Sequence, residues 1–248
     1  MKILSWNIRA GGGVRAEKIA AQIQRWCPDI VALMEFRGTP PSLCLAEALS
    51  EQGLNHQRTT ADPKNPTVNS LLLASRWPLR KIVVKNEPNE PRRWLLAKVS
   101  APKPFTIGVM HIPNRNTGLK FPYHNAVLDV VQKWRGGPAL LVGDTNSGQI
   151  DLDEEVPCFG PPEHDWMTSL DDAHWKDAFR LLHGEARAYT WYSPNKGNGF
   201  RLDEAFVNRM MVHRLTKARY EWGNDGSKDR RREALSDHSA LILDFKSG

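Results

Sequence analysis

Short apolar runs of strand length recur along the chain, and most are apolar at nearly every position. Residues 2–6, 29–34, 70–74, 94–99, 105–110, 139–143, 204–207 and 239–245 all have this character. A strand with one wet face alternates, whereas an unbroken apolar run needs cover on both faces. Two helical patterns lie between these runs. Ile19, Ile23 and Trp26 recur at helical spacing in residues 17–26, and Pro28 stops that segment. Val127, Val130, Val131 and Trp134 do the same in residues 122–134, with Pro122 in the first turn, where a helix tolerates it. A weaker helix is expected over residues 163–170. Doubly covered strands with a few amphipathic helices predict an α/β sandwich of two stacked mixed β-sheets with helices outside.

The ends of these runs are polar in a consistent way. The early ones stop at Asn7, Glu35, His111 and Asp144, with Asn146 just beyond. Later the order reverses: Asp203 precedes residues 204–207, and Asp237 and His238 precede residues 239–245. If early and late strands run antiparallel, all of these groups meet on one edge. Carboxylates, carboxamides and imidazoles gathered together suit a divalent cation and a phosphate. Each residue alone also has a plainer reading. Glu35 can be a solvent-facing strand end, Asn7 a turn former, residues 144–146 an Asx turn and His238 a satisfied structural histidine. Taken together, Asp144 can accept a proton from water or bind metal, and the Asn146 amide can meet a phosphoryl oxygen or orient the nucleophile. His238 can donate to phosphate or move a proton, Asp203 can fix its tautomer, and Asp237 can ligate metal.

The 248 residues carry no repeat, low-complexity tract or Gly/Ser linker, so one domain over residues 1–248 is expected. Pro/Gly clusters at residues 38–41, 157–162 and 195–199 read as loops inside it. A net charge of +6 and a sequence pI of about 9.3 favour a polyanionic partner such as nucleic acid. The basic run 228–232, with Arg230 and Arg231, is either a phosphate-backbone clamp at the rim of the site or a solvated loop. Trp191, Tyr192 and Phe200 are candidates for the wall of a pocket taking a base or an exposed sugar, with core packing the preferred role of Trp191. No apolar run approaches the ~20 residues of a membrane span, and no signal-peptide core opens the chain. Three cysteines without metal-like spacing suggest free thiols in a reducing, cytoplasmic setting. No obligate protein partner is evident.

Ser5-Trp6-Asn7-Ile8, Ala32-Leu33-Met34-Glu35, His111-Ile112-Pro113-Asn114, Gly143-Asp144-Thr145-Asn146, Phe200-Arg201-Leu202-Asp203 and Ser236-Asp237-His238-Ser239 together resemble a known series. They follow the order of the signatures of the endonuclease/exonuclease/phosphatase, or DNase I-like, superfamily. The resemblance implies a four-layer α/β sandwich and Mg²⁺- or Mn²⁺-dependent phosphoester hydrolysis. The stretches Asp151-Leu152-Asp153, Glu163-His164-Asp165-Trp166-Met167, Trp175-Lys176-Asp177-Ala178-Phe179-Arg180 and Tyr189-Thr190-Trp191-Tyr192 are most similar to the exonuclease III/AP endonuclease branch. That likeness implies Asn7, Glu35 and Asp237 at the metal, and Asp144 with Asn146 at the attacking water. It implies Asn114 at the phosphate, His238 held by Asp203 at the scissile phosphoryl group, and duplex DNA as substrate. Two departures stand out. His111 occupies a position where that branch usually has tyrosine, a feature similar to the DNase I-like and phosphatase branches, and Met34 replaces the usual Gln. The same scaffold acting on small-molecule or lipid phosphoesters is therefore the alternative expectation, and a metal-free binding module a third.

Overall fold

The computed structural model describes residues 1–223 and 234–246. The basic run 228–232, with Arg230 and Arg231, lies outside the described residues. Along each apolar run, successive side chains point to opposite faces, and here both faces find cover. In β1 (Lys2–Asn7), Ile3 packs between the two sheets while Leu4 and Trp6 pack outward. In β8 (Ala139–Asp144), Leu140 and Val142 face the inter-sheet core while Leu141 faces the opposite side.

One sheet has the order β13 (Leu215–Glu221), β14 (Ala240–Phe245), β1, β2 (Ile30–Phe36), β4 (Ser70–Ser75), β3 (His56–Thr59). The other has the order β5 (Leu79–Ile82), β6 (Trp94–Val99), β7 (Phe105–His111), β8, β12 (Asp203–Asn208), β9 (Trp175–Asp177). Helices α1 (Ala16–Trp26) and α2 (Pro40–Glu51) border the outer core of the first sheet. Helices α3 (Lys120–Gln132) and α4 (Pro161–Asp172) border that of the second, giving the four layers expected. The short α5 (Ala178–His183) places Ala178 and Phe179 in the inter-sheet core, and a two-stranded ribbon pairs β10 (Trp191–Tyr192) with β11 (Gly199–Phe200).

Most local departures from the sequence reading have simple causes. Pro40 and Pro41 do not belong to a loop but open α2, since proline's missing N–H costs nothing in a first turn. Pro161 and Pro162 likewise open α4. The short strands β3, β5, β9, β10 and β11 lack apolar runs of their own and depend on neighbours for pairing. The three cysteines are free and exposed. Among the described residues, no helix is long and apolar enough to cross a membrane.

Candidate active site

Strand direction gathers the polar ends. β1 runs parallel to β2 and antiparallel to β14, so Asn7 and the start of β14 share an edge. β7 runs parallel to β8 with His111 opposite Asp144, and β12 runs antiparallel to β8 with Asp203 opposite Asp144. The close β7–β8 approach requires Gly143, because a Cβ there would lie 1.8 Å from the Met110 carbonyl oxygen.

Glu35 does not simply follow its strand, as the sequence suggested; it lies inside β2. The β2–β4 register shifts between Met34 and Phe36, and Glu35 has φ 57°. Such a bulge turns one side chain out of the alternation, and this one carries the carboxylate to Asn7. Glu35 Oε2 accepts from Ala10 N at 2.8 Å, and Oε1 lies 3.5 Å from Asn7 Nδ2.

Asp144 is the hub. It is buried, and Asn7 Nδ2 donates to its Oδ2 at 3.0 Å. His111 Nε2 stands 3.6 Å and His238 Nε2 3.9 Å from the same oxygen. Its Oδ1 accepts the Asn146 backbone N–H at 3.0 Å. Asn146, itself at φ 49°, donates its carboxamide Nδ2 to Ile112 O at 2.9 Å. His238 Nδ1 bonds Asp203 Oδ2 at 2.8 Å, while Asp203 Oδ1 is buried with no hydrogen-bond partner among the described residues. The Ser236 hydroxyl donates to Asn7 O at 2.6 Å and ties the loop carrying Asp237 to the end of β1. Asp237 is part exposed, with Arg9 Nε 3.8 Å away.

These surroundings separate the two imidazoles. Burial disfavours the charged form of both. Around His238, the carboxylates of Asp203, Asp144 and Asp237 outweigh burial and push its pKa up to about 10. At His111 burial prevails over the attraction of Asp144, with Arg93 and His238 adding to it, and the pKa falls to about 4. Burial raises the proton affinity of Asp144, while the two imidazoles and the Asn7 amide oppose the rise. The site thus pairs a cationic donor with a buried carboxylate and a neutral imidazole.

The donor set suits a hard divalent cation. Asn7, Glu35 and Asp237 offer carboxamide and carboxylate oxygens at one edge. Among the described residues, no group of three or more His, Cys, Asp or Glu side chains is set to hold a metal ion, so the set depends on the carboxamide of Asn7.

Beside this edge lies a groove of about 520 Å³, lined by Asn114, Arg115, Asn146, Trp191, Lys196 and Phe200 among others. Trp191 is half-buried, with its ring centroid 6.3 Å from that of His238, and borders the groove rather than the core expected for it. Phe200 is buried but also lines the groove. Tyr192 does not join them. As the next residue in β10 it faces the other way, with ring centroids 6.2 Å from Trp222 and 6.1 Å from Tyr189.

The sequence matches the profile described as the Endonuclease/Exonuclease/phosphatase family over residues 4–238. The chain belongs to this family. It is therefore a phosphoester hydrolase, built on a DNase I-like scaffold. No curated protein matches it by sequence. Among solved structures, it is similar to the 3′ phosphatase NExo from Neisseria bound to product DNA hairpin, at 22% identity and a TM-score of 0.79. The 3′-5′ exonuclease NExo from Neisseria meningitidis gives 23% and 0.80, and an AP endonuclease from Archaeoglobus fulgidus 19% and 0.81. In all three, 100% of both chains is covered, and at these identities the likeness is one of fold.

Sequence reasoning gave no individual role to several charged and polar groups that support this hydrolase's edge. Lys120, Glu163 and Arg115 form an ion-paired cluster between α3 and α4. Arg201, named only within a motif, is fully buried among Asp153, Asp177 and Glu204. The Thr190 hydroxyl accepts the backbone N–H groups of Leu202 and Asp203, at 2.9 and 3.2 Å, steadying the start of β12. The one available signal was the oddity of a lysine and a glutamate at apolar-face positions of amphipathic helices.

Proposed function

We propose that this single-domain hydrolase is a divalent-metal-dependent phosphodiesterase acting on DNA, with AP endonuclease and 3′-exonuclease character. The observation that carries the reading is Asp144, held by Asn7 and Asn146 and faced by His111 and His238. Asn7, Glu35 and Asp237 would hold Mg²⁺ or Mn²⁺, which when bound neutralises charge on the phosphoryl oxygens. Asp144 takes the proton of a water whose oxygen bonds to phosphorus in line with the departing ester oxygen. The Asn146 carboxamide orients that water, and Asn114 meets the phosphate. His238, kept cationic and in one orientation by Asp203, donates to the developing charge. Trp191 and Phe200 supply aromatic surface for a base or sugar in the groove. Three further facts support DNA as substrate: the basic balance of the chain, a fold neighbour solved with a DNA product, and another described as an AP endonuclease.

The deciding measurement is cleavage of an oligonucleotide duplex carrying one abasic site, in Mg²⁺, by wild type and Asp144→Asn. Loss of a positioned general base costs about 10²–10⁴-fold, and the variant is expected to fall by at least that much. Equal rates would sink the assignment. One observation favours a second reading, hydrolysis of small or lipid phosphoesters: a neutral, buried His111 stands beside Asp144 where the exonuclease III branch usually has tyrosine. Release of inorganic phosphate from small phosphomonoesters, faster than DNA cleavage, would select it.

A further inference from the structure

Three charged side chains next to the catalytic edge have no part in the scheme above. Glu163, in the first turn of α4, is completely buried, and Lys120, in the first turn of α3, is 3% exposed. Glu163 Oε1 accepts from Lys120 Nζ at 2.9 Å and from Arg115 Nη2 at 2.6 Å, while Oε2 accepts Gly160 N at 3.2 Å. Arg115 alone already supplies Glu163 with a counter-charge, so a second, buried cation is not needed for neutrality. Burying an ammonium is costly unless its protons find fitted partners. The other partner of Lys120 Nζ is the backbone oxygen of Asn146, 2.5 Å away.

That contact falls on a turn beside the candidate base. Asn146 has φ 49°, a left-handed geometry that asparagine adopts more readily than most residues other than glycine. Its amide N–H is the group bonded to Asp144 Oδ1, and its side chain reaches Ile112 O. Lys120 therefore grips the third polar point of the residue that orients the candidate base.

We propose that Lys120, anchored by Glu163, is a positioning residue for hydrolysis: its ammonium holds the Asn146 carbonyl so that the turn 144–146 presents Asp144 and the Asn146 carboxamide to the reacting phosphate. This rests on the reading of Asp144 and Asn146 as catalytic. A residue that only packs α3 on α4 would alter stability, whereas a positioning residue acts through Asn146.

The test is a double-mutant cycle on the full chain with an abasic-site duplex and Mg²⁺. Lys120→Met is expected to lower kcat about 10- to 100-fold with KM within about twofold, and Lys120→Arg to recover part of the loss. In an Asn146→Ala background, Lys120→Met is expected to cost little more, because both changes act on one turn. Multiplying losses, or a wild-type kcat in Lys120→Met while Asn146→Ala is impaired, would overturn the proposal and leave the functional reading standing. A wild-type rate in Asn146→Ala would instead remove the reading, and the proposal with it. Should Lys120→Met not fold, Glu163→Gln keeps shape and removes the anchoring charge, and the same cycle with Asn146→Ala decides.

Discussion

At the scale of single residues, the site works by giving like side chains unlike surroundings. His238 and His111 both face Asp144 Oδ2, but among the described residues only His238 has a carboxylate on its other nitrogen. The first is thereby held as a cation and the second as a neutral ring, from one residue type in one cleft. His238→Ala is expected to lower kcat by about 10²-fold or more, and also to lower the melting temperature because the buried Asp203 carboxylate loses its imidazole partner. Asp203→Asn keeps the size but offers Nδ1 a carboxamide instead of a charge, and is expected to lose a large part of the same factor. A wild-type kcat in both variants would remove this pair from the chemistry.

Elements set which side chains reach the groove. β10 is only two residues long, yet its alternation sends Trp191 toward the groove and Tyr192 away from it. Base stacking is worth about 1–3 kcal/mol per aromatic, so Trp191→Ala is expected to raise KM for DNA about 5- to 150-fold. Tyr192→Ala is expected to leave KM unchanged, and an equal effect of both would show that neither stacks on substrate. The α3–α4 contact carries a pH dependence of its own. His124 lies buried against Trp166, ring centroids 4.3 Å apart and nearly parallel, with Nε2 3.0 Å from Ser147 Oγ. Burial, with help from Lys120, lowers its pKa from 6.5 to about 3. The unfolded chain then binds this proton more readily than the native one. Its contribution is complete above pH 6.5 and declines toward pH 3, by about 1.4 kcal/mol per unit. Between pH 7 and pH 5, wild type is expected to lose about 2 kcal/mol more of its unfolding free energy in urea than His124→Gln does. Parallel losses in the two proteins would contradict this.

Across the whole molecule, the site exists because two sheets meet. Asn7 belongs to one sheet and Asp144 to the other, yet their side chains hydrogen-bond at 3.0 Å. Behind that seam, Arg201 is fully buried, bonded to Asp153 through Nε at 2.6 Å and Nη2 at 3.0 Å, and to Asp177 at 2.6 Å. It joins the start of β12 to the β9–α5 junction and to the loop holding Asp153. Removing one member of such a cluster leaves buried charges unpaired, so Arg201→Met is expected to lower unfolding free energy by about 3–5 kcal/mol in urea melts. A loss below about 1 kcal/mol would mean that solvent or rearrangement satisfies the acids.

The amino-acid sequence alone located the eight long apolar strands to within a residue or two and implied that both of their faces are covered, because periodicity and composition act over a few neighbouring residues. It therefore also exposed Asn7, Glu35, His111, Asp144, Asp203, Asp237 and His238, which punctuate those runs. It did not reveal α2, whose exposed Leu43 blurs the apolar stripe, or the bulge that aims Glu35. Only the tertiary structure decided that Tyr192 turns from the groove, that Lys120 meets a glutamate 43 residues away, and that Arg201 meets an aspartate 48 residues before it. Those pairings follow from how layers pack and which ends they bring together, and no spacing along the chain encodes a distance between two sheets.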